Sequence, residues 1–273
     1  MTPTKVFAPN WEKNEFGYFV WPDDNDLRKS LYPDRVSHPA KNNLYLYREL
    51  IKYLTNEGDI ILDPMLGAGS AMIGATIGRK VIGIELNSKL AEQAQLNAIH
   101  LMSEYPESII LVTEGDCTKL LPVGILADLV IFSPPYANQL HFNPNDKFVT
   151  DKDRFTDGIF EQGVDTYTEH PDSFANMPEF MFRNNMKKVY ELCFKNTKPG
   201  GYMAIIIKDK ISKGEREELG LWCARTAIMA GWEVSDWFRS EHIGKLWGNF
   251  NLKRGIRQIT DEHNIIFRKP LSV

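Results

Sequence analysis

Four short apolar runs, each ending in a polar turn, constrain this chain more than any other feature. They are DIILD (59–63), KVIGIEL (80–86), SIILVTEGD (108–116) and ADLVIFSPP (127–135). Runs this continuously apolar need cover on both faces, which is the condition of a strand inside a parallel sheet. Parallel neighbours need long crossovers, and the intervening segments have the length and spacing of helices. GGYMAIIIKD (200–209) repeats the pattern after a helix over roughly 174–196. WEVSDWF (232–238) and NIIFRK (264–269) follow with no helix between them, so they pair as a long-looped hairpin. The expected fold class is α/β: a seven-stranded, mostly parallel sheet with one antiparallel strand and helices on both faces.

The helices come from the same reading. Leu44, Tyr47, Leu50, Ile51 and Leu54 have helical spacing, and Gly58 is expected to close that helix. A helix through about Ile77 follows the glycine-rich turn. Ser88 is the expected N-cap of a helix reaching about Glu104. The stretch 215–230 reads as helical. Residues 1–37 are irregular and aromatic-rich, with Trp11, Phe16, Tyr18, Phe19 and Trp21, and read as an arm packed on the body. Residues 38–273 then form one domain, with inserted loops at 138–172 and 239–258.

Composition narrows the class. The 273 residues are 43% hydrophobic and 25% charged, enough to build a core without staples. Cys117, Cys193 and Cys223 are far apart with no C-x-x-C pairing, which points to buried reduced thiols and away from zinc; no metal is expected. The start of the chain has neither a basic n-region nor an apolar h-region, and no apolar run is long enough to span a bilayer. The expectation is a soluble, cytoplasmic, nucleoid-associated protein with no membrane partner. A net charge of −4 is unusual for a nucleic-acid binder, so any such surface must be local.

Chemistry concentrates at the ends of the strands. Asp63-Pro64-Met65-Leu66-Gly67-Ala68-Gly69-Ser70 lies between a strand and a helix, where glycines let backbone approach a ligand and free N–H groups face it. The loop lacks the G-x-G-x-x-G spacing of dinucleotide binders. Glu85, 22 positions after Asp63, ends the second run, at the offset where a carboxylate takes a ribose diol. Gly115-Asp116 ends the third. Any one of these carboxylates could be an ordinary strand-end polar residue; three at successive ends beside a glycine turn describe a ligand-binding edge. Ser133-Pro134-Pro135-Tyr136 ends the fourth run, with two prolines stiffening the turn and an aromatic face at its rim.

The two elements together resemble the amino-methylating DNA methyltransferases, which make N4-methylcytosine or N6-methyladenine. That family carries a D-P-F-x-G-x-G-[ST] loop followed by [DNS]-P-P-[YFW]; this chain has DPMLGAGS and SPPY, with Met65 replacing the phenylalanine. His38-Pro39-Ala40-Lys41 resembles the H-P-x-x-K element that precedes them. The resemblance covers 38–136 by motif and implies a Rossmann-like class I methyltransferase fold with S-adenosyl-L-methionine as cofactor. It places Asp63 and the Gly67 to Gly69 backbone at the methionine part of the cofactor, with His38, Lys41, Pro64, Met65 and Ser70 also among the cofactor-binding residues. Glu85 and Leu86 are placed at the ribose, Asp116 and Cys117 near the adenine. Ser133, Pro134, Pro135 and Tyr136 would hold a base flipped out of double-stranded DNA.

An exocyclic amine conjugated to a base is a poor nucleophile, and the Ser133 hydroxyl and Pro134 carbonyl are two acceptors able to pull it towards tetrahedral geometry. Serine at the first position is commoner among the cytosine-N4 members, which favours N4-cytosine over N6-adenine. Residues 138–172 carry three basic and eight acidic residues, a poor phosphate surface, although Asn138, Asn143 and Asn145 could read base edges. Residues 239–258 carry five basic residues against one acidic, with Lys245, Lys253, Arg254 and Arg257 as expected DNA contacts. A cognate restriction endonuclease is the partner that such a modification enzyme would accompany. RNA base methylation and a non-catalytic DNA-binding homologue stay open as alternatives. Methylation of a protein glutamine is disfavoured, because that group carries asparagine before the two prolines.

Overall fold

The computed structural model of the protein describes residues 5–33, 41–135, 173–174, 177–212, 215–241 and 259–271. Its first half holds α1 (Asn25–Leu31), α2 (Leu44–Leu54), β1 (Ile60–Asp63), a 3-10 helix (Ser70–Ile77), β2 (Lys80–Glu85), α3 (Ser88–Glu104), β3 (Ile110–Glu114), α4 (Cys117–Leu120) and β4 (Ala127–Phe132). The second half holds α5 (Glu179–Asn196), β5 (Thr197–Ile207), a small hairpin of β6 (Lys210–Ser212) and β7 (Glu215–Glu217), α6 (Leu219–Met229), β8 (Glu233–Glu241) and β9 (Asp261–Arg268).

The main sheet has seven strands in the order β3-β2-β1-β4-β5-β9-β8. Pairing is parallel from β3 across to β5, and β9 runs against both β5 and β8. One strand is therefore antiparallel, as the missing helix between the last two apolar runs requires. Side chains alternate between two cores on the two faces. Ile61, Leu129, Ile131, Ala204, Ile206 and Ile266 join one core with α2, the 3-10 helix and α3. Leu62, Val130, Phe132, Met203, Ile205 and Phe267 join the other with α5 and α6. Both neighbours of a strand residue are buried, which is why the runs lack a polar alternation. Each such side chain contributes about 1.5–3 kcal/mol by leaving water.

Several local expectations are corrected. The segment after the glycine turn is a 3-10 helix and not an α-helix. Its first six residues are all buried, and it is confined between Gly69 and Gly78, both with φ near +80°. Gly58 does not close α2; the helix ends at Leu54, where the Thr55 hydroxyl donates to the Ile51 carbonyl at 2.6 Å. The cap of α3 is Asn87, whose side chain accepts from the Leu90 amide, and not Ser88. α5 starts at Glu179 because Pro178, with extended ψ, occupies its N-cap. The first residues of 215–230 form β7, held by ion pairs of Glu217 with Arg183 and Lys210, and the helix begins only at Leu219.

The N-terminal residues pack on the outer edge of the sheet. Phe7 stacks on Phe238 with ring centroids 4.3 Å apart and meets Phe19 edge-on at 5.0 Å. The Phe19 amide donates to the Arg239 carbonyl at 2.9 Å, and the Glu241 amide donates back to Phe19 at 2.8 Å. Trp21 Nε1 donates to the Ser240 hydroxyl at 2.8 Å.

Candidate active site

A parallel sheet opens a crevice at the carboxyl ends of its strands where the order reverses. Here that point lies between β1 and β4: the chain leaves β1 towards β2 and β3, then crosses back to β4. An apolar cleft sits at this edge, with about 680 Å³ of empty space including its open mouth. That lies within the range of small-molecule sites. Its walls come from the β1 turn (Pro64, Met65), the end of β2 (Glu85, Leu86), the end of β3 (Asp116, Cys117) and the end of β4 (Ser133, Pro135). Four segments far apart in sequence thus meet at one edge.

The glycine turn is anchored by the carboxylates. Asp63 is 2% exposed, and its Oδ1 accepts the Met65 amide at 2.9 Å. Glu85 is 9% exposed and bonds on both oxygens: Oε2 accepts the Gly67 amide at 2.6 Å and Oε1 the Asn87 amide at 2.8 Å. Glu85 therefore ties the loop to β2, and each oxygen keeps a lone pair for a ligand hydroxyl. Gly67 and Gly69 have φ of 52° and 80°, which a side-chain-bearing residue would resist. At Gly83 the need is space: a Cβ there would lie 2.5 Å from Leu66 Cδ2 of the loop.

Burial sets the protonation of this edge. It pushes the Asp63 carboxyl well above the usual carboxylate range, opposed by the Met65 amide and reinforced by the Glu85 charge. It also raises Glu85, against bonds from the Asn87, Gly67 and Leu86 amides. At Asp116 burial is outweighed: its carboxylate caps α4 through the Thr118 amide at 2.8 Å and pairs with Lys119 at 3.3 Å, so its pKa falls. Cys117 is 7% exposed, and burial with the neighbouring Asp116 and Glu85 charges pushes its thiol up to about 12. It is a neutral wall residue at any ordinary pH.

The other sequence-predicted residues are distributed as follows. Ser133 and Pro135 line the cleft, while Pro134 between them is buried. Asp63, Gly67, Gly69 and Ser70 lie behind its wall, Ser70 donating to the Asn42 carbonyl at 3.3 Å. Lys41 is exposed and away from the cleft wall. His38, Tyr136, Asn138, Asn143, Asn145, Lys245, Lys253, Arg254 and Arg257 lie outside the described residues, as do 138–172 and all of 239–258 beyond Glu241 and before Ile259. The sequence reading missed five wall residues: Asn87, Leu90, Gly115, Ser173 and Phe174. Asn87 was legible as a capping residue one place before Ser88. Ser173 and Phe174 carry no periodic signal, and only the fold returns them to the cleft.

The comparisons with known proteins fall on this site. The family model described as DNA methylase matches residues 6–96, the part that builds the glycine turn, Asp63 and Glu85. Over that segment the chain is similar to the DNA methylase family. Among curated relatives, the type II methyltransferase M.HpaI of Haemophilus parainfluenzae is 36% identical over 63 residues, 23% of this chain and 20% of that protein. The DNA adenine methyltransferase YhdJ of Escherichia coli is 36% identical over 89 residues, 32% of this chain and 29% of that protein. An uncharacterized RNA methyltransferase of Clostridium tetani is 29% identical over 92 residues, 33% of this chain and 20% of that protein. The chain spans less than a third of the length of each. A solved methyltransferase from Pyrococcus furiosus is 16% identical and superposes over 90% of this chain and 94% of its own with a TM-score of 0.51, which speaks for the fold.

The cofactor of this family is S-adenosylmethionine, and the chain's residues fit it. A buried acidic edge suits a molecule with an ammonium and a sulfonium. Glu85 retains acceptor capacity at the end of β2, and Leu86, Leu90 and Phe174 supply apolar wall. Met65 takes the family's usual phenylalanine position on that wall, and an adaptable thioether preserves its apolar character.

Proposed function

We propose that this protein transfers a methyl group from S-adenosylmethionine to the exocyclic amino nitrogen of a base in double-stranded DNA, with cytosine N4 as the target. The observation that carries the reading is Ser133 and Pro135 in the wall of the cleft that Glu85 and Asp116 also line. Amino-group acceptors thereby adjoin the carboxylates suited to the cofactor. S-adenosylmethionine supplies an electrophilic methyl. The chain supplies acceptors at the amine: the Ser133 hydroxyl oxygen and the Pro134 carbonyl draw its hydrogens, localise the nitrogen lone pair and accommodate the charge that develops on it. Neither group is a strong base, so the proton leaves to water after transfer. Asp63, Glu85 and the glycine turn hold and orient the cofactor. Tyr136 is the stacking partner of the flipped base, and Cys117 has no nucleophilic part.

Serine at position 133 supports cytosine, whereas the similarity to the DNA adenine methyltransferase YhdJ supports adenine as the second reading. Incubation with cofactor and mixed-sequence DNA, digestion to nucleosides and mass spectrometry separates them. The expected product is N4-methyldeoxycytidine. N6-methyldeoxyadenosine alone replaces the base assignment, and methylated RNA without methylated DNA replaces the substrate.

For DNA contact the reading uses Lys245, Lys253, Arg254 and Arg257. Reversing the charges of Lys253 and Arg254 should weaken DNA binding and flatten its salt dependence while cofactor affinity stays unchanged. Unaltered DNA affinity at low salt removes these residues from the interface.

A further inference from the structure

Beside the Ser133 turn, the carboxyl edge of the sheet carries a row of polar side chains on one face. Ile61, Ile131, Ile206 and Ile266 face one core, and strand alternation turns Asp63, Ser133, Lys208 and Glu262 to that same side. The register sets their spacing. Phe132 pairs with Ile205, which leaves Ser133, one residue on, diagonal to Lys208, a separation that a long side chain spans. Ile207 pairs with His263 and Ser240 with Glu262, so Lys208 stands directly across from Glu262. Both are half-buried, so part of each meets solvent at this edge. Tyr47 of α2, 1% exposed, packs beneath the row: burial pushes its hydroxyl up, and the Asp63 and Glu262 charges add to it. Two carboxylates, one on each side of the strand that ends in Ser133, thus face one α2 side chain.

The chemistry of the target says what such a row lacks. A flipped base is read at its Watson–Crick edge. There cytosine and adenine present an amine beside a ring-nitrogen acceptor, N3 or N1, whereas thymine and guanine present a carbonyl beside a ring N–H. Ser133 and Pro134 meet the amine and leave the ring nitrogen in need of a donor. Asp63 is turned to the glycine loop through the Met65 amide, and Glu262 faces Lys208. That leaves Lys208, with three donors on a flexible four-carbon stem, as the donor of the row. Burial holds the Glu262 carboxyl up to about 7 against the Lys208 charge, and lowers Lys208 against the Glu262 and Asp261 charges. Each group offsets part of the other's cost of burial, and together they bring little net charge to a centre where positive charge develops.

Resting on the methyltransferase reading above, we propose that Lys208 is a base-binding residue: its ammonium donates to the ring nitrogen beside the target amine, cytosine N3 or adenine N1, and Glu262 holds it in position. Acceptors for the amine and a donor for its ring neighbour together select cytosine or adenine, since thymine or guanine would turn a ring N–H towards the ammonium.

The test uses the full chain and a duplex in which the methylated base has been mapped. A second duplex carries 3-deazacytosine or 1-deazaadenine at that base, which keeps the amine and puts C–H in place of the ring nitrogen. On the natural duplex Lys208→Met should lower kcat/KM for DNA by about tenfold or more, the usual loss for a hydrogen bond to a charged group. Its S-adenosylhomocysteine affinity should stay within about twofold of wild type, which also shows the variant to be folded. On the deaza duplex wild type should fall to about the level of Lys208→Met, so that the gap between the two proteins closes. A gap of equal size on both duplexes, no gap on the natural one, no methylation of the deaza duplex by either protein, or an equal loss of cofactor affinity overturns the proposal and leaves the methyltransferase reading standing. Glu262→Gln, acting through Lys208, should show a smaller gap that closes in the same way. Should Lys208→Met not fold, Glu262→Gln decides alone: a gap confined to the natural duplex supports the proposal, and no gap or an equal one overturns it. A wild-type chain that methylates no base in DNA overturns both.

Discussion

Ser133 and Glu85 sit on one cleft wall, yet their substitutions should fail in different ways. Ser133→Ala removes an acceptor that acts on the amine, so kcat should fall by roughly 10²-fold or more, as for loss of one preorganised polar group, while S-adenosylhomocysteine affinity stays unchanged. Parallel rate and binding measurements check this; a loss confined to binding would move Ser133 out of the chemistry. Glu85→Gln replaces a carboxylate oxygen that accepts the Gly67 or Asn87 amide with an NH2 that cannot accept, so cofactor affinity should drop by about tenfold or more with little change at saturating cofactor. Cys117 gives a negative prediction. With its thiol pushed up to about 12, iodoacetamide at neutral pH should leave it unmodified and activity intact, as mass mapping of the native protein would show. Much of this was legible in the sequence, because Asp63, Glu85, Asp116 and Ser133 all terminate apolar runs and a parallel sheet must bring such ends together. Arg28 was not legible. It is buried in α1 by bonds to Asp24 and Asn42, which no period in the sequence announces.

At the level of elements, the seven strands of the main sheet read true and the short elements did not. β1, β2 and β4 are buried on both faces, so composition alone identifies them. The 3-10 helix and the β6–β7 hairpin depend on what surrounds them: two left-handed glycines in one case, ion pairs to α5, to Asp209 and to Asp261 in the other. The hairpin supplies Arg216, whose Nε donates to the buried Asp209 at 2.7 Å just beyond β5. Asp209 also accepts the Gly220 amide at 3.0 Å and lies 3.2 Å from His263 Nε2. Burial alone would raise the Asp209 pKa, but the adjacent His263 imidazole and hydrogen bonds from Gly220 and Arg216 hold it well below the usual carboxylate range. A depressed folded-state pKa means that the stabilisation is fully present above the unfolded value near 4 and is lost as pH falls below it. Asp209→Asn should therefore cost about 2–3 kcal/mol at pH 7, with the gap to wild type shrinking towards pH 3. Urea unfolding at the two pH values measures it, and a gap independent of pH would assign the cost to packing alone.

Across the whole molecule, the family match and the physical layering coincide. Residues 6–96 run from the aromatic arm through α2, β1, the glycine turn and β2 into α3, and they supply most of the core on one face of the sheet. The helices of the other face, α5 and α6, lie beyond the matched segment, which reaches that face only through β1, β2 and the glycine turn. The arm is packed with the elements that carry the glycine turn: it meets β8 through Phe7 and Phe19 and the turn through Tyr32. Loosening the arm at the distant sheet edge should then be felt at the cofactor loop. Phe7 is buried against Phe19, Trp21, Tyr53 and Phe238, so Phe7→Ala should cost about 3 kcal/mol and lower Tm by roughly 6–12 °C. Because a ligand that binds only the folded state stabilises it by mass action, saturating S-adenosylhomocysteine should raise Tm in wild type and variant alike. If the arm is part of the cofactor unit, the rise at equal ligand concentration should be smaller in Phe7→Ala, since affinity has fallen with the arm's order. An equal rise in both proteins would separate the arm from the site and confine Phe7 to stability.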